Sequence, residues 1–182
     1  PTPKGPLGTL ALNAALQRLL QMKLYGVEVP SVPPGRRPRF LIHDKVIQRR
    51  NNYDLGIMNG SIGQIVAVDR KTHDLVVRFT DRETRDVELS AREGHLQDLH
   101  LAYALTIHSA QGSEFPCVVL VVHKSHSFQH HRNLFYTGVT RAQQVAIILG
   151  DQWGIRNCAE RRELGRRKTF LSLLGQHDEG PG

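Results

Sequence analysis

The chain is poor in cysteine: Cys117 sits in an apolar run, Cys158 stands well apart from it, and no CxxC pair occurs. That pattern excludes a disulfide framework and gives metal or redox chemistry little to stand on, so both thiols are expected to be buried as small apolar residues. No run of about 18 apolar residues that could span a bilayer is present. The opening PTPKGPLG also lacks the basic-then-apolar layout of a secretory signal. No membrane partner is therefore expected, and the expected location is the cytosol. His123, His126, His130 and His131 lie near one another, but without the paired Cys or carboxylate spacing of a zinc site, so a polar loop and no metal is the expectation. What the chain does have is 182 residues at 40% hydrophobic content, enough for one domain carrying a small insertion. Its 24 Lys and Arg against 17 Asp and Glu give a formal charge of +7, which suits a polyanionic partner without proving one.

Hydrophobic periodicity divides the chain into three stretches. Leu12, Leu16 and Leu19 recur at helical spacing with Gln17, Arg18 and Gln21 on the opposite face, which predicts an amphipathic helix over Leu7 to Met22, with Pro6 suited to its first turn. VPSVPPGRRP, from Val29 to Pro38, holds too many prolines for helix or central strand and reads as a linker. The period then drops to two, over Lys45 to Gln48, Gly63 to Val68, Leu75 to Phe79 and Arg85 to Leu89, with turn signals at Asn59-Gly60 and Asp81-Arg82. Several short strands so close together predict a small antiparallel barrel whose usual work is partner contact.

Beyond Leu99 the pattern predicts helix, strand, helix and strand over Leu101 to Gln111, Val118 to Val122, Arg132 to Ala142 and Val145 to Leu149. The two strands are continuous apolar runs, as in a parallel sheet covered on both faces. A barrel inserted into an α/β domain follows from this order. The closing GQHDEGPG reads as a disordered tail, and the run Arg161, Arg162, Arg166, Arg167 and Lys168 reads as a solvated helix face that adds positive charge.

Polar groups in the first of those predicted helices, Thr106, His108, Ser109 and Gln111, gather where it leaves the core, and Gly112 can end it and let backbone approach a ligand. Glu114 and Phe115 precede the next strand, at the kind of sheet edge where α/β proteins bind ligands. Alone, His108 fits a satisfied structural histidine better than a ligand contact. On the following helix Leu134, Phe135, Gly138, Val139 and Ala142 make an apolar stripe, while Asn133, Thr137, Thr140 and Arg141 line another face. An arginine there looks outward; without further context it would be a surface residue in a weak ion pair worth about 0 to 1 kcal/mol. Arg49, Arg50, Asn51, Asn52 and Tyr53 combine cations, amides and a ring, suited to phosphate hydrogen bonds and base stacking, or equally to a tight polar turn.

Taken as strings, LAYALTIHSAQGSEF (Leu101 to Phe115) and RNLFYTGVTRAQ (Arg132 to Gln143) resemble two coupling motifs of the second motor domain of superfamily 1 helicases, in the RecD-like branch. The first matches at Thr106, His108, Gln111, Gly112, Glu114 and Phe115, and departs at Ser109 and Ala110, where Lys-Ser is usual. The second matches at Tyr136, Thr140 and Arg141, with Gly138 and Gln143 replacing the more frequent Ala and Lys. Asp44 to Gly63 is similar to the start of the Src-homology-type barrel inserted in that family, and Pro3 to Gln17 to its opening motif, with Lys4 as a candidate phosphate contact.

The resemblance implies an α/β fold: a RecA-like, P-loop-NTPase-type parallel sheet domain (the second motor domain) at 1–37 and 97–182, with a small antiparallel SH-type β-barrel inserted at 38–96. It implies that Arg141 is an arginine finger stabilising charge on the transferred phosphoryl group. Gln111, Gly112, Glu114 and Lys4 would bind nucleotide, and Thr106, His108, Asn51, Asn52 and Tyr53 would hold single-stranded DNA. A motor also needs a phosphate loop, GxxxxGK followed by Ser or Thr, and an acidic Mg²⁺ ligand. Neither is found in this sequence, and Pro1 falls inside a motif, so ATP with Mg is expected to bind mainly to an N-terminal motor domain of the same protein. The chain alone is expected to be inactive; the complete helicase would move 5′ to 3′. A non-catalytic nucleic-acid-binding module with a motor-like fold is the alternative, and a purely structural docking domain a third.

Overall fold

The computed structural model describes residues 5–33, 38–81 and 83–161. Lys4, the arginine-rich run beyond Arg161 and the closing glycine-rich segment lie outside these residues. Contacts divide the chain into two compact units, Pro1–Glu114 and Phe115–Gly182.

The first unit begins with helix α1 (Thr9–Tyr25). Its most buried side differs from the expected one: Asn13, Gln17 and Gln21 are buried, whereas Leu12 and Leu16 are only partly buried and Leu19 is 59% exposed. The cause is Asp44, a fully buried carboxylate. Gln17 Nε2 donates to its Oδ2 at 2.5 Å and Gln21 Nε2 to its Oδ1 at 2.9 Å. The Leu41 amide and the Tyr103 hydroxyl each add a bond at 2.8 Å. A charge taken out of water must be hydrogen-bonded to be tolerated, and the amide face of α1 meets that demand. Desolvation still dominates and pushes the Asp44 pKa up, while burial and, after it, the Asp44 charge push that of Tyr103 up as well.

Five antiparallel strands follow: β1 (Lys45–Gln48), β2 (Ile62–Val68), β3 (Leu75–Phe79), β4 (Arg85–Leu89) and β5 (Leu99–Leu101), in the order β4-β3-β2-β1-β5. Alternation places Val46, Ile65, Leu75, Val77, Phe79, Leu89, Leu99 and Leu101, together with Ile57, in one core. Gly63 pairs with Phe79 across β2 and β3, and a Cβ there would meet Val77 Cγ1 at 2.7 Å and the Arg78 carbonyl at 2.8 Å. Only glycine fits that approach. The Asn59-Gly60 signal is a turn, closed by the Ser61 amide on the Met58 carbonyl at 3.1 Å.

The helix expected over Leu101 to Gln111 does not form. Leu99 to Leu101 instead pairs with β1 as an edge strand, and only His108–Ala110 is helical, as one 3₁₀ turn. Tertiary bonds decide this: Asn13 Nδ2 donates to the Ala104 carbonyl at 2.9 Å while its Oδ1 accepts from the Ala104 amide at 2.8 Å. A backbone whose donor and acceptor are both taken by a side chain cannot also serve a helix ladder.

In the second unit β6 (Phe115–Val122) pairs in parallel with β7 (Ala142–Gly150). The crossover between them carries a 3₁₀ segment (Lys124–Gln129) and helix α2 (Arg132–Val139); α3 (Gln152–Glu160) follows β7. The α2 helix stops at Val139, short of the expected Ala142, because β7 already begins at Ala142. The parallel pairing is as expected, but the burial is not: β7 is exposed along nearly its whole length, with Leu149 54% exposed, since the described sheet has two strands. Cys158 is buried, whereas Cys117, on open β6, is exposed. No described helix is long and apolar enough to cross a membrane.

Candidate nucleic-acid interface

The segment after β5 carries Thr106, His108, Gln111, Gly112 and Glu114 on one short path in the first unit. Thr106 Oγ1 accepts from the Ser109 amide at 3.1 Å and shares a hydrogen bond with the Ser109 hydroxyl at 2.7 Å, which fixes the 3₁₀ turn. His108, Gln111, Gly112 and Glu114 are exposed. Gly112 adopts φ +83°, a conformation that disfavours a side chain, and so turns the chain sharply after Gln111. The exposed side chains of this path are thereby presented on a backbone held from below by Asn13 and, through Tyr103, by Asp44.

Past β1, the Arg49 amide donates to the Asp98 carbonyl at 2.8 Å. Its exposed side chain crosses to the motif segment, where Nη1 donates to Ser109 Oγ. Asn51, Asn52 and Tyr53 form a tight turn. Asn52 and Ile57 exchange backbone bonds at 2.7 and 2.8 Å, and Asn52 Oδ1 accepts from the Leu55 amide at 3.1 Å. Asn51 Nδ2 donates to the Tyr53 hydroxyl at 2.9 Å, and Asn51 Oδ1 accepts from the Asn59 amide at 2.8 Å. The amides thus build the turn, and the Tyr53 ring, 76% exposed, is what the turn offers to a partner.

Arg141 belongs to the second unit. It follows α2 directly, and its carbonyl accepts from the Phe115 amide at 2.9 Å, anchoring the backbone where β6 and β7 start. The side chain is half-buried; Nε donates to the Thr137 carbonyl at 3.3 Å. Thr137 Oγ1 donates to the Asn133 carbonyl at 2.8 Å, so the row Asn133, Thr137 and Arg141 is one hydrogen-bonded column at four-residue spacing. Of the expected stripe, Gly138 is buried and Leu134, Phe135 and Val139 are partly buried.

His126 and His130 of the crossover are buried, with His126 Nδ1 and His130 Nε2 lacking a hydrogen-bond partner among the described residues. Burial pushes both imidazoles below the ordinary histidine range. Asp151 caps α3 at Gly154 (2.8 Å) and takes the Lys124 amide at 2.8 Å; these backbone bonds hold its carboxyl below the usual range. No group of three or more His, Cys, Asp or Glu able to hold a metal occurs among the described residues.

The residues that brace the interface, Asn13, Gln17, Gln21, Asp44 and Tyr103, were not anticipated as a unit. A signal for the helical part existed, since amides four residues apart on one helix share a face.

Residues 101–149 match the UvrD-like helicase C-terminal domain, and residues 12–79 match the SH3 domain of ATP-dependent RecD-like DNA helicases. The chain is thus of the superfamily 1 helicase class, with a RecA-type α/β fold and a small SH3-type antiparallel barrel. Among curated proteins it is 34% identical over 180 residues to the ATP-dependent RecD2 DNA helicase of Deinococcus radiodurans, covering 97% of this chain and 23% of that protein. It is 31% identical over 170 residues to the RecBCD enzyme subunit RecD of Mycolicibacterium smegmatis, covering 92% of this chain and 28% of that one. Within its class, the chain belongs to the RecD-like family. It spans about a quarter of the length of these two relatives. A crystal structure of Pif1 helicase from Bacteroides in complex with ADP-AlF3 and ssDNA shares the fold at TM-score 0.50 and 17% identity, over 89% of this chain and 42% of that one.

Proposed function

We propose that this chain is the C-terminal motor portion of an ATP-dependent DNA helicase that travels 5′ to 3′ along single-stranded DNA. Residues 1–37 and 97–182 form the second motor domain and 38–96 the inserted barrel; β1 to β4 lie within 38–96, and β5, the edge strand of the same sheet, lies just beyond it. Arg141 acts as an arginine finger toward ATP and Mg²⁺ held mainly by an N-terminal motor domain of the same protein. The observation that carries this reading is the Arg141 side chain itself, half-buried and tethered through Nε to the Thr137 carbonyl. A guanidinium outside the core and held by the helix end is oriented before the phosphoryl group arrives, which is how such a group stabilises transition-state charge.

Gln111, Gly112, Glu114 and Lys4 contribute to nucleotide binding, and Thr106, His108 and the Tyr53 ring hold the strand, Asn51 and Asn52 serving by building the turn that presents that ring. The exposed path after Thr106 and the open Tyr53 ring support these roles. The apolar faces of β6 and β7, with Val119, Val145 and Ile147 exposed, support the packing of further protein against this sheet. By itself the chain does not hydrolyse ATP.

The test is Arg141→Ala in the complete helicase. Turnover of ATP should fall by about 10³ or more while single-strand affinity is kept. Near-normal turnover would remove the assigned role, and an equal loss of strand affinity would mean that Arg141 serves the strand.

A further inference from the structure

We propose that Arg49 is a phosphate-binding residue, and that Arg49, Ser109 and Thr106 together form one phosphodiester site joining the barrel to the motif segment. This rests on the reading above that the motif segment contacts a single strand. Arg49 and Ser109 are sixty residues apart in sequence, yet Nη1 donates to Ser109 Oγ. Ser109 Oγ is in turn bonded to Thr106 Oγ1 at 2.7 Å. The acceptor is a neutral hydroxyl, so this contact orients the guanidinium without cancelling its charge. A guanidinium carries five N–H donors in a planar fork matched to phosphate oxygens. One of them is on Ser109, and the side chain that carries the others is exposed.

The neighbouring Arg50 is engaged differently: its Nε lies 3.7 Å from Asp98 Oδ1. Arg49 is held at both ends instead, its backbone by the Asp98 carbonyl and its tip by Ser109. Two fixed ends lower the entropy that a long side chain loses on gripping a ligand. His108, next to Ser109 in the chain, is exposed as well. An anion with oxygens on two sides, as in the backbone of a single strand, is the ligand class that a cationic fork next to paired hydroxyls recognises.

The experiment is an NMR titration of the ¹⁵N-labelled chain with a short oligo(dT) at two salt concentrations, a readout suited to weak binding. Arg49→Gln removes the charge and leaves a shorter amide that stops short of Ser109. It should weaken binding about fivefold to tenfold and lower the slope of log K against log salt by about 0.7, one phosphate's share on a single strand. Arg49→Lys should keep the slope and recover part of the affinity. Ser109→Ala should lose affinity with the slope unchanged, because it removes the orienting acceptor and no charge. An unchanged slope in Arg49→Gln, with Thr106→Ala and His108→Ala still weakening binding, would overturn this proposal and leave the strand-binding reading standing. Binding unaffected by all of these variants, or absent from the unmodified chain, would overturn both.

Discussion

Replacing Asp44 by alanine tests the packing of the first unit at its most concentrated point. The carboxylate is fully buried and accepts from Gln17, Gln21, the Leu41 amide and the Tyr103 hydroxyl. Both glutamine amides have a second acceptor, Arg39 O at 2.9 Å for Gln17 and Ile42 O at 2.8 Å for Gln21, so they lose one bond each rather than all. A buried donor left unmade costs about 1–3 kcal/mol, so four donors set an upper bound of about 12 kcal/mol. Two effects reduce it: burial of the carboxylate is itself costly, as its raised pKa shows, and water can enter a polar cavity. A net loss of about 3–5 kcal/mol is expected, a large part of the about 5–15 kcal/mol that holds a domain together. Asp44→Asn should cost less than Ala but remain destabilising, because its Nδ2 would face two of the same donors. Urea unfolding followed by far-UV circular dichroism measures the change, and α1 should melt ahead of the strands. A loss below about 1 kcal/mol in the alanine variant would refute the view that Asp44 joins α1 to the barrel.

Two further outcomes follow from the packing. Gly63→Ala should destabilise the barrel by about 1–3 kcal/mol, since the Arg78 carbonyl 2.8 Å from the new Cβ is backbone and cannot swing aside; an unchanged urea midpoint would contradict the close approach. Burial lowers the folded-state pKa of His126 and His130 below the ordinary value, so the stability they contribute is complete above about pH 6.5 and is lost as pH falls through the lowered folded values. Trp153 is the single tryptophan, with its ring centroid 6.2 Å from that of His130, so its fluorescence reads the second unit. The melting temperature by this probe should drop on acidification, and changing both histidines to glutamine should flatten the drop. A pH-independent melt in the unmodified chain would overturn the assignment.

Local pattern was enough where a strand alternates over one core. Lys45 to Gln48, Leu75 to Phe79 and Arg85 to Leu89 fold with the bounds that period two implies. It failed where a distant side chain decides the backbone. Leu101 to Gln111 is apolar enough for a helix, but pairing with β1 takes one end of it and Asn13 takes Ala104. The same interaction network draws the glutamine face of α1 inward: glutamines that look solvated are buried because Asp44 needs donors, a demand that hydropathy does not register. Arg141 and the column through Thr137 and Asn133 were readable from four-residue spacing, whereas the Arg49 contact to Ser109 spans sixty residues and has no local mark.

The bare flanks of β7 also shape how this polypeptide behaves during synthesis. A parallel pair that leaves Val145, Ile147, Ile148 and Leu149 facing water offers sticky surface to any neighbour, including another copy of itself. Surface of that kind, left uncovered in a newly made chain, favours aggregation.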